Sequence, residues 1–187
     1  MNNLILLAAV LLVGCSQPDG ERANHAGNFS KIVLLDVQGL WGGRDLWLSS
    51  NGTGMCRVVG QPDDKAIPGP QEKRYKVTIS PAEVGALRSV LGHWDFSAIE
   101  SSSRSGIPDE ARPRIYLDDG NKINVAYRWK GDIKKGGAFQ AIYVALKKVV
   151  ETATKENPLH SGPLDWKWYP EGFPKTDMVR SMEGKKN

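Results

Sequence analysis

From Lys31 onward the apolar positions follow two different periods. Ile32-Val33-Leu34-Leu35 is a continuous run that fits a strand buried on both faces, and one so short that helix also accommodates it. Leu46-Trp47-Leu48 and Met55-Cys56-Arg57-Val58-Val59 flank Ser50-Asn51-Gly52-Thr53. Asn-Gly between apolar runs predicts a hairpin whose type I′ turn needs positive φ at both central positions. Gly42-Gly43 predicts a bulge or bend, since no Walker lysine or following helix makes it a phosphate loop. After a proline-rich loop from Gln61 to Pro70, Tyr75, Val77 and Ile79 alternate as one face of a strand. That strand runs into Ser80-Pro81-Ala82-Glu83, where Ser80 caps a helix, Pro81 suits its first position and Glu83 completes a capping box. Val84, Leu87 and Leu91 recur at helical spacing, and Gly92 is the predicted left-handed stop.

A second strand–strand–helix order follows. Arg114 to Leu117 and Lys122 to Trp129 read as strands, with Ile123, Val125, Tyr127 and Trp129 alternating against Asn124, Ala126 and Arg128. A three-residue turn with Gly120 left-handed sets Ile115 opposite Ile123 and keeps the apolar residues on one side; a two-residue turn pairs Ile115 with Asn124. The first register is favoured. Phe139, Ile142, Leu146, Val149 and Val150 then form one face of a second helix. The four prolines between Asn157 and Pro174 rule out regular helix, while Trp166, Trp168, Tyr169 and Phe173 make the segment too apolar for a free tail. It reads either as a strap packed across the sheet or as an exposed partner or glycan surface with Trp166, Trp168 and Tyr169 as its residues. The economical architecture is α+β: one antiparallel sheet of hairpins with two amphipathic helices packed on one face.

The first residues follow another rule. The apolar run Leu4 to Val13 is about ten residues long, half of the roughly twenty needed to cross a bilayer, and it reads as a signal-peptide core, though a buried N-terminal helix has the same look. Leu12-Val13-Gly14-Cys15 closes that run and resembles the lipobox of bacterial lipoproteins. The resemblance implies cleavage before Cys15, acylation of its thiol and new amine, and anchoring without a transmembrane helix, since two chains already hold a protein on a bilayer. Ser16, where retained lipoproteins carry Asp, implies release to the periplasmic leaflet of the outer membrane in a cell with two membranes. The expected organisation is a signal peptide over residues 1–14, a flexible tether over 15–30, one α+β domain over 31–178 that includes the strap, and a frayed tail over 179–187. Fully extended, the tether reaches roughly 50 Å.

Charge and chemistry add little. The net charge of +4 survives signal removal, because no charged side chain precedes Cys15. In an exported protein mild basicity points to anionic lipid or acidic polymers, not to nucleic acid. The pairs Lys134-Lys135 and Lys147-Lys148 read as solvated. With Cys15 acylated, Cys56 has no intramolecular partner and reads as a buried small hydrophobe or, as the alternative, a reactive or intermolecularly paired thiol. His25 falls in the tether; His93 and His160 stand alone, with no metal-ligand spacing around them, and no cofactor or metal site is expected. Asp118-Asp119-Gly120-Asn121 reads as a hairpin turn because it lacks the alternating ligands of a calcium loop. His93 also suits a helix C-terminus, and Glu100 to Arg112 reads as a solvated or a binding loop.

Three functions fit. The first is a non-catalytic binding or interaction module of the envelope, of inhibitor, immunity or assembly-accessory type, with a protein partner. The second binds peptidoglycan or another glycan through tryptophans. The third is a hydrolase combining His93 or His160 with Asp109 or Glu110.

Overall fold

The structure, a computed structural model, describes residues 27–38, 41–62, 67–107 and 109–173. The signal peptide, Cys15, most of the tether, the end of the strap and the tail lie outside the described residues. Seven strands form one antiparallel sheet: β1 (Lys31–Leu35), β2 (Gly43–Ser49), β3 (Thr53–Gly60), β4 (Gln71–Thr78), β5 (Arg114–Asp118), β6 (Ile123–Tyr127) and β7 (His160–Pro163). Their spatial order is β6-β5-β1-β2-β3-β4-β7. The two helices are α1 (Pro81–His93) and α2 (Ala138–Ala153). This is the α+β arrangement that the hydrophobic periods predict.

The doubly apolar run Ile32 to Leu35 becomes β1, an inner strand paired with β5 on one side and β2 on the other. Ile32 and Leu34 point toward the helices and join Leu46, Leu48, Val77 and Ile115 in a core closed by Leu87 and Leu91 of α1 and by Ile142, Leu146 and Val150 of α2. Each such side chain contributes about 1.5–3 kcal/mol on burial. Val33 and Leu35 point the other way and pack with Trp47 and Tyr116 against Trp168, Tyr169 and Phe173. The chain after β7 is therefore the packed strap, covering the face that no helix covers. Trp47, with no exposed surface, meets Trp168 and Tyr169 edge-on at centroid distances of 5.3 and 5.2 Å.

Ser80 and Glu83 form the expected capping box on α1, with Ser80 Oγ accepting from the Glu83 amide and the Glu83 carboxylate accepting from the Ser80 amide. Gly92 does not stop the helix. The last turn runs through His93, Trp94 leaves in extended geometry, and Asp95 caps a short 3-10 turn at Phe96–Ala98.

Turn chemistry corrects two further expectations. Between β2 and β3 only Gly52 has positive φ, at 85°, and its amide donates to Ser49 O at 3.0 Å. The loop is a three-residue turn with one left-handed glycine, in place of type I′, because Asn51 spends its side chain accepting from Thr53 N and Oγ1. A Cβ on Gly52 would sit 2.6 Å from Ile79 O. Between β5 and β6 the carboxylates decide. Asp118 accepts from Gly120 N, and Asp119 accepts from Asn121 N and Lys122 N, which builds a four-residue loop. Ile115 consequently faces Ala126, neither Ile123 nor Asn124. Ile123 and Val125 move to the strap side, where they are 48% and 45% exposed. Trp129 lies beyond the end of β6, its Nε1 donating to Arg104 O and its ring filling the space a Cβ on Gly106 would need.

The polar loop from Glu100 to Arg112 is pinned. Ser102 N donates to Tyr127 O, Ser101 Oγ and Ser102 Oγ accept from Tyr127 N and Trp129 N, and Arg104 bridges Glu110 and Asp132. The strap in turn rests on a charged cluster inside the sheet's second face. Arg57 and Asp45 are directly opposed in register and buried, with Arg57 donating to Asp45 Oδ2 from Nε at 3.1 Å and Nη2 at 2.5 Å. Arg57 also lies 3.5 Å from fully buried Glu72 and donates to Asp165 O of the strap at 3.0 Å.

Removing Arg57 would leave Asp45 buried without its cation and Glu72 with Arg74 alone. Arg57→Met is expected to lose about 3–5 kcal/mol, read from urea unfolding, whereas Glu151→Ala at the exposed Arg44–Glu151 pair barely moves the midpoint. Equal midpoints for the two variants would contradict this ranking.

Candidate functional site

The residues that leave β1 build the site, and Asp45 holds them. Asp45 Oδ1 accepts from the amides of Asp36 at 2.9 Å and Val37 at 3.0 Å, fixing the chain as it exits the sheet. A tight turn follows: Gln38 and Gly42 exchange backbone bonds of 2.8 Å, and Trp41 N donates to Gln38 O. Gly42 and Gly43, at φ 80° and 135°, let the turn close. A Cβ there would lie 2.3 Å from Val59 O or 2.0 Å from Asp36 O, so only glycine fits either position. The sequence-predicted bend is thus a close approach of backbones. Its result is Trp41, held out with 70% of its surface exposed.

Trp41 stands at the lip of a cleft of about 710 Å³. The β1–β2 turn forms one wall with Asp36, Gln38 and the glycine pair; α2 forms another with Gln140, Tyr143, Val144 and Lys147; Asp109, Glu110, Ala111, Pro113, Lys130 and Ile133 complete it. Tyr143 Oη donates to Asp36 Oδ2 at 2.6 Å, and Lys147 Nζ lies 5.3 Å from the Tyr143 ring centroid. Burial pushes the Asp36 carboxyl above its ordinary range despite the Tyr143 hydrogen bond. Burial likewise raises the Tyr143 phenol, with Asp36 adding to it. Across the cleft Glu110 has the opposite tendency: hydrogen bonds from Arg104 and then Gly131 N hold its carboxyl low. Asp109 beside it has φ 62°, a conformation that costs a non-glycine residue about 1–3 kcal/mol. A smaller hollow of about 340 Å³ shares Ile133 and Gln140 with this cleft. Such volumes suit a small molecule or a short stretch of polymer.

The residues singled out in the sequence scatter relative to this cleft. Asp109 and Glu110 line it. His93 ends α1, edge-on to Trp94, and His160 sits on β7 with its Nε2 3.8 Å from Glu72. Neither histidine lines the cleft, so the proposed His–carboxylate pairing has no common cavity. Trp168 and Tyr169 of the strap are half-buried against the sheet, with Arg74 stacked 4.2 Å from the Trp168 ring, and Trp166 is 41% exposed. Cys56 is fully buried and its thiol is pushed up to about 12 by burial, which makes it a core residue with no thiolate near neutrality. Among the described residues no group of three or more His, Cys, Asp or Glu could hold a metal.

Trp41, Asp36 and Tyr143 were not visible as site residues. Trp41 offered the one usable signal, an aromatic set against Gly42-Gly43 in a loop. Asp36 and Tyr143 meet across 107 residues of sequence, and nothing local marks that pair.

A carboxyl raised by burial binds its proton more tightly in the folded than in the unfolded chain. Its contribution is then fullest below the unfolded pKa and is lost as pH rises through the raised value, so ionised Asp36 costs stability at neutrality. Asp36→Asn keeps an acceptor for Tyr143 and removes the charge. It should raise the urea midpoint near pH 7, with the gap closing by about pH 3, below the ordinary aspartate range; a gap unchanged by pH would refute the assignment. No protein family, curated protein or solved structure matches this chain, which leaves the cleft's own residues as the ground for a functional conclusion.

Proposed function

We propose that this chain is a non-catalytic, lipid-anchored binding module of the bacterial cell envelope, whose folded body offers the Trp41 cleft to a ligand or partner. The observation that carries the binding role is Trp41 itself. A 70%-exposed indole costs solubility, and here it is held in place by a two-glycine turn instead of being free to collapse onto the body. Tryptophan is the residue type most enriched among those that dominate binding energy. Asp36 adds a second argument, because a carboxyl kept above its ordinary range by burial at the wall of a cleft is a common mark of a functional position.

The anchor is supported by the resemblance of Leu12-Val13-Gly14-Cys15 to a lipobox. A site on the outer membrane follows from Ser16 where two membranes exist. The hydrolase alternative loses support, since His93 and His160 stand outside the cleft that Asp109 and Glu110 line.

Two measurements test this reading. Cys15→Ala should move the protein from the membrane fraction to the soluble envelope fraction, and mass spectrometry of the native polypeptide should find an acylated Cys15 as the first residue. An intact Met1 would overturn the anchor. A photo-cross-linking residue at position 41 in living cells should form a higher-mass adduct that the same residue at exposed Leu159 does not; equal labelling at both would overturn the binding role.

A further inference from the structure

We infer that the Trp41 cleft takes a glycan, in particular a strand of N-acetylated amino sugars, an inference that rests on the binding-module reading of the same site. A pyranose ring has two chemical aspects: C–H groups on its faces, and hydroxyl or amide groups around its rim. It is recognised by an aromatic plate flanked by planar groups that both donate and accept. The cleft supplies that combination. Trp41 is the plate, open to solvent and fixed in position by the Gln38–Gly42 turn. Planar polar side chains line the same cleft: the amides Gln38 and Gln140 and the carboxylates Asp36 and Asp109.

Competing ligands fit less well. An extended peptide needs an unpaired strand edge or a deep apolar groove. The strands that border the cleft, β1 and β2, are inner strands of the sheet with both edges paired. The large aliphatic side chains along the cleft are Ile133 and Val144. A polyanion needs a concentration of cations, and here Lys130 and Lys147 face Asp36, Asp109 and Glu110. The tryptophans of the strap are a poorer plate, because Trp168 is edge-on to Trp47 and lies under Arg74, and Trp166 is less open than Trp41. A body tethered to an envelope membrane within reach of the cell wall meets strands of N-acetylated amino sugars at high local concentration, which makes this glycan the one the cleft fits by chemistry and by place.

The test titrates tri-N-acetylchitotriose into the purified full-length chain in detergent micelles, followed by calorimetry. Saturable binding is expected, weakened at least tenfold by Trp41→Ala and several-fold by Gln38→Ala, and unchanged by Trp166→Ala. Trp41 is an exposed turn residue, so its variant should keep the wild-type circular dichroism. Absence of binding by the wild type to the trisaccharide and to muramidase-solubilised cell-wall fragments would overturn the glycan assignment. If residue 41 then still gave a protease-sensitive adduct in cells, the binding module would stand with a protein partner. Loss of both signals would remove the two readings together, and glycan binding that depended on Trp166 but not on Trp41 would move the site to the strap.

Discussion

The buried pair of Asp45 and Arg57 joins more of this structure than any other contact. Asp45 divides its two oxygens: Oδ1 holds the amides of Asp36 and Val37 as the chain leaves β1, and Oδ2 takes two N–H groups of Arg57 on the neighbouring β3. Arg57 carries the connection on to Glu72 of β4 and to the Asp165 carbonyl of the strap. Its guanidinium lies 5.7 Å from the ring centroids of both Trp47 and Trp168. Desolvating such charges costs several kcal/mol per ion, so an apolar pair of equal volume would be at least as stable. What the charges supply is direction. An apolar pair would pack in several ways, but Asp45 satisfies its four donors only when β1, β2 and β3 are in their present register.

That register matters because the sheet is covered on its two faces by very different material. On one side two amphipathic helices seal an ordinary aliphatic core. On the other, a short strap of prolines and aromatics does the work of a second layer, with β7 pairing to β4 before the chain crosses back over Trp47. A strap cannot hydrogen-bond its own backbone as a helix does, so its polar groups need partners from the sheet. Arg57 meets that need at Asp165, and Lys31 donates to the Gly172 carbonyl at the far end. The aromatic rings provide burial, and these two cations set where the strap lies.

Local chemistry was legible and long-range pairing was not. The capping box of Ser80 and Glu83 is read from four adjacent residues, and it formed as read. The doubly apolar run of β1 implied cover on both faces, which the strap and helices provide. The register of β5 against β6 escaped because it depends on which backbone amides two aspartates choose, and apolar alternation carries no information on that choice. Gly92 read as a stop because a glycine near a helix end usually is one; here Trp94 ends the helix. The cleft was illegible for the same reason as the register. Asp36 and Trp41 come from the β1–β2 turn and Asp109 from a distant loop, Tyr143 sits one residue off the buried stripe of α2, and a tryptophan near an apolar run reads as core until its turn is known.

Asp36 joins the buried cluster to the cleft. Its amide is gripped by Asp45, and its side chain faces Tyr143 in the cleft, so the buried cluster that seats the strap also sets the wall of the cleft. Two carboxylates are thereby brought close together, and the proximity of Asp45 is among the causes that raise Asp36, after burial. A protein selected for stability alone would not keep that arrangement. It also would not place an indole in water on a turn that tolerates only glycine at two positions. Both features cost free energy in the unliganded protein and reduce the ordering left to be done when something binds, which is how preorganisation raises affinity. Strain and exposure concentrated around one cleft, on a body that is otherwise conventionally packed, are the physical grounds for placing its function there.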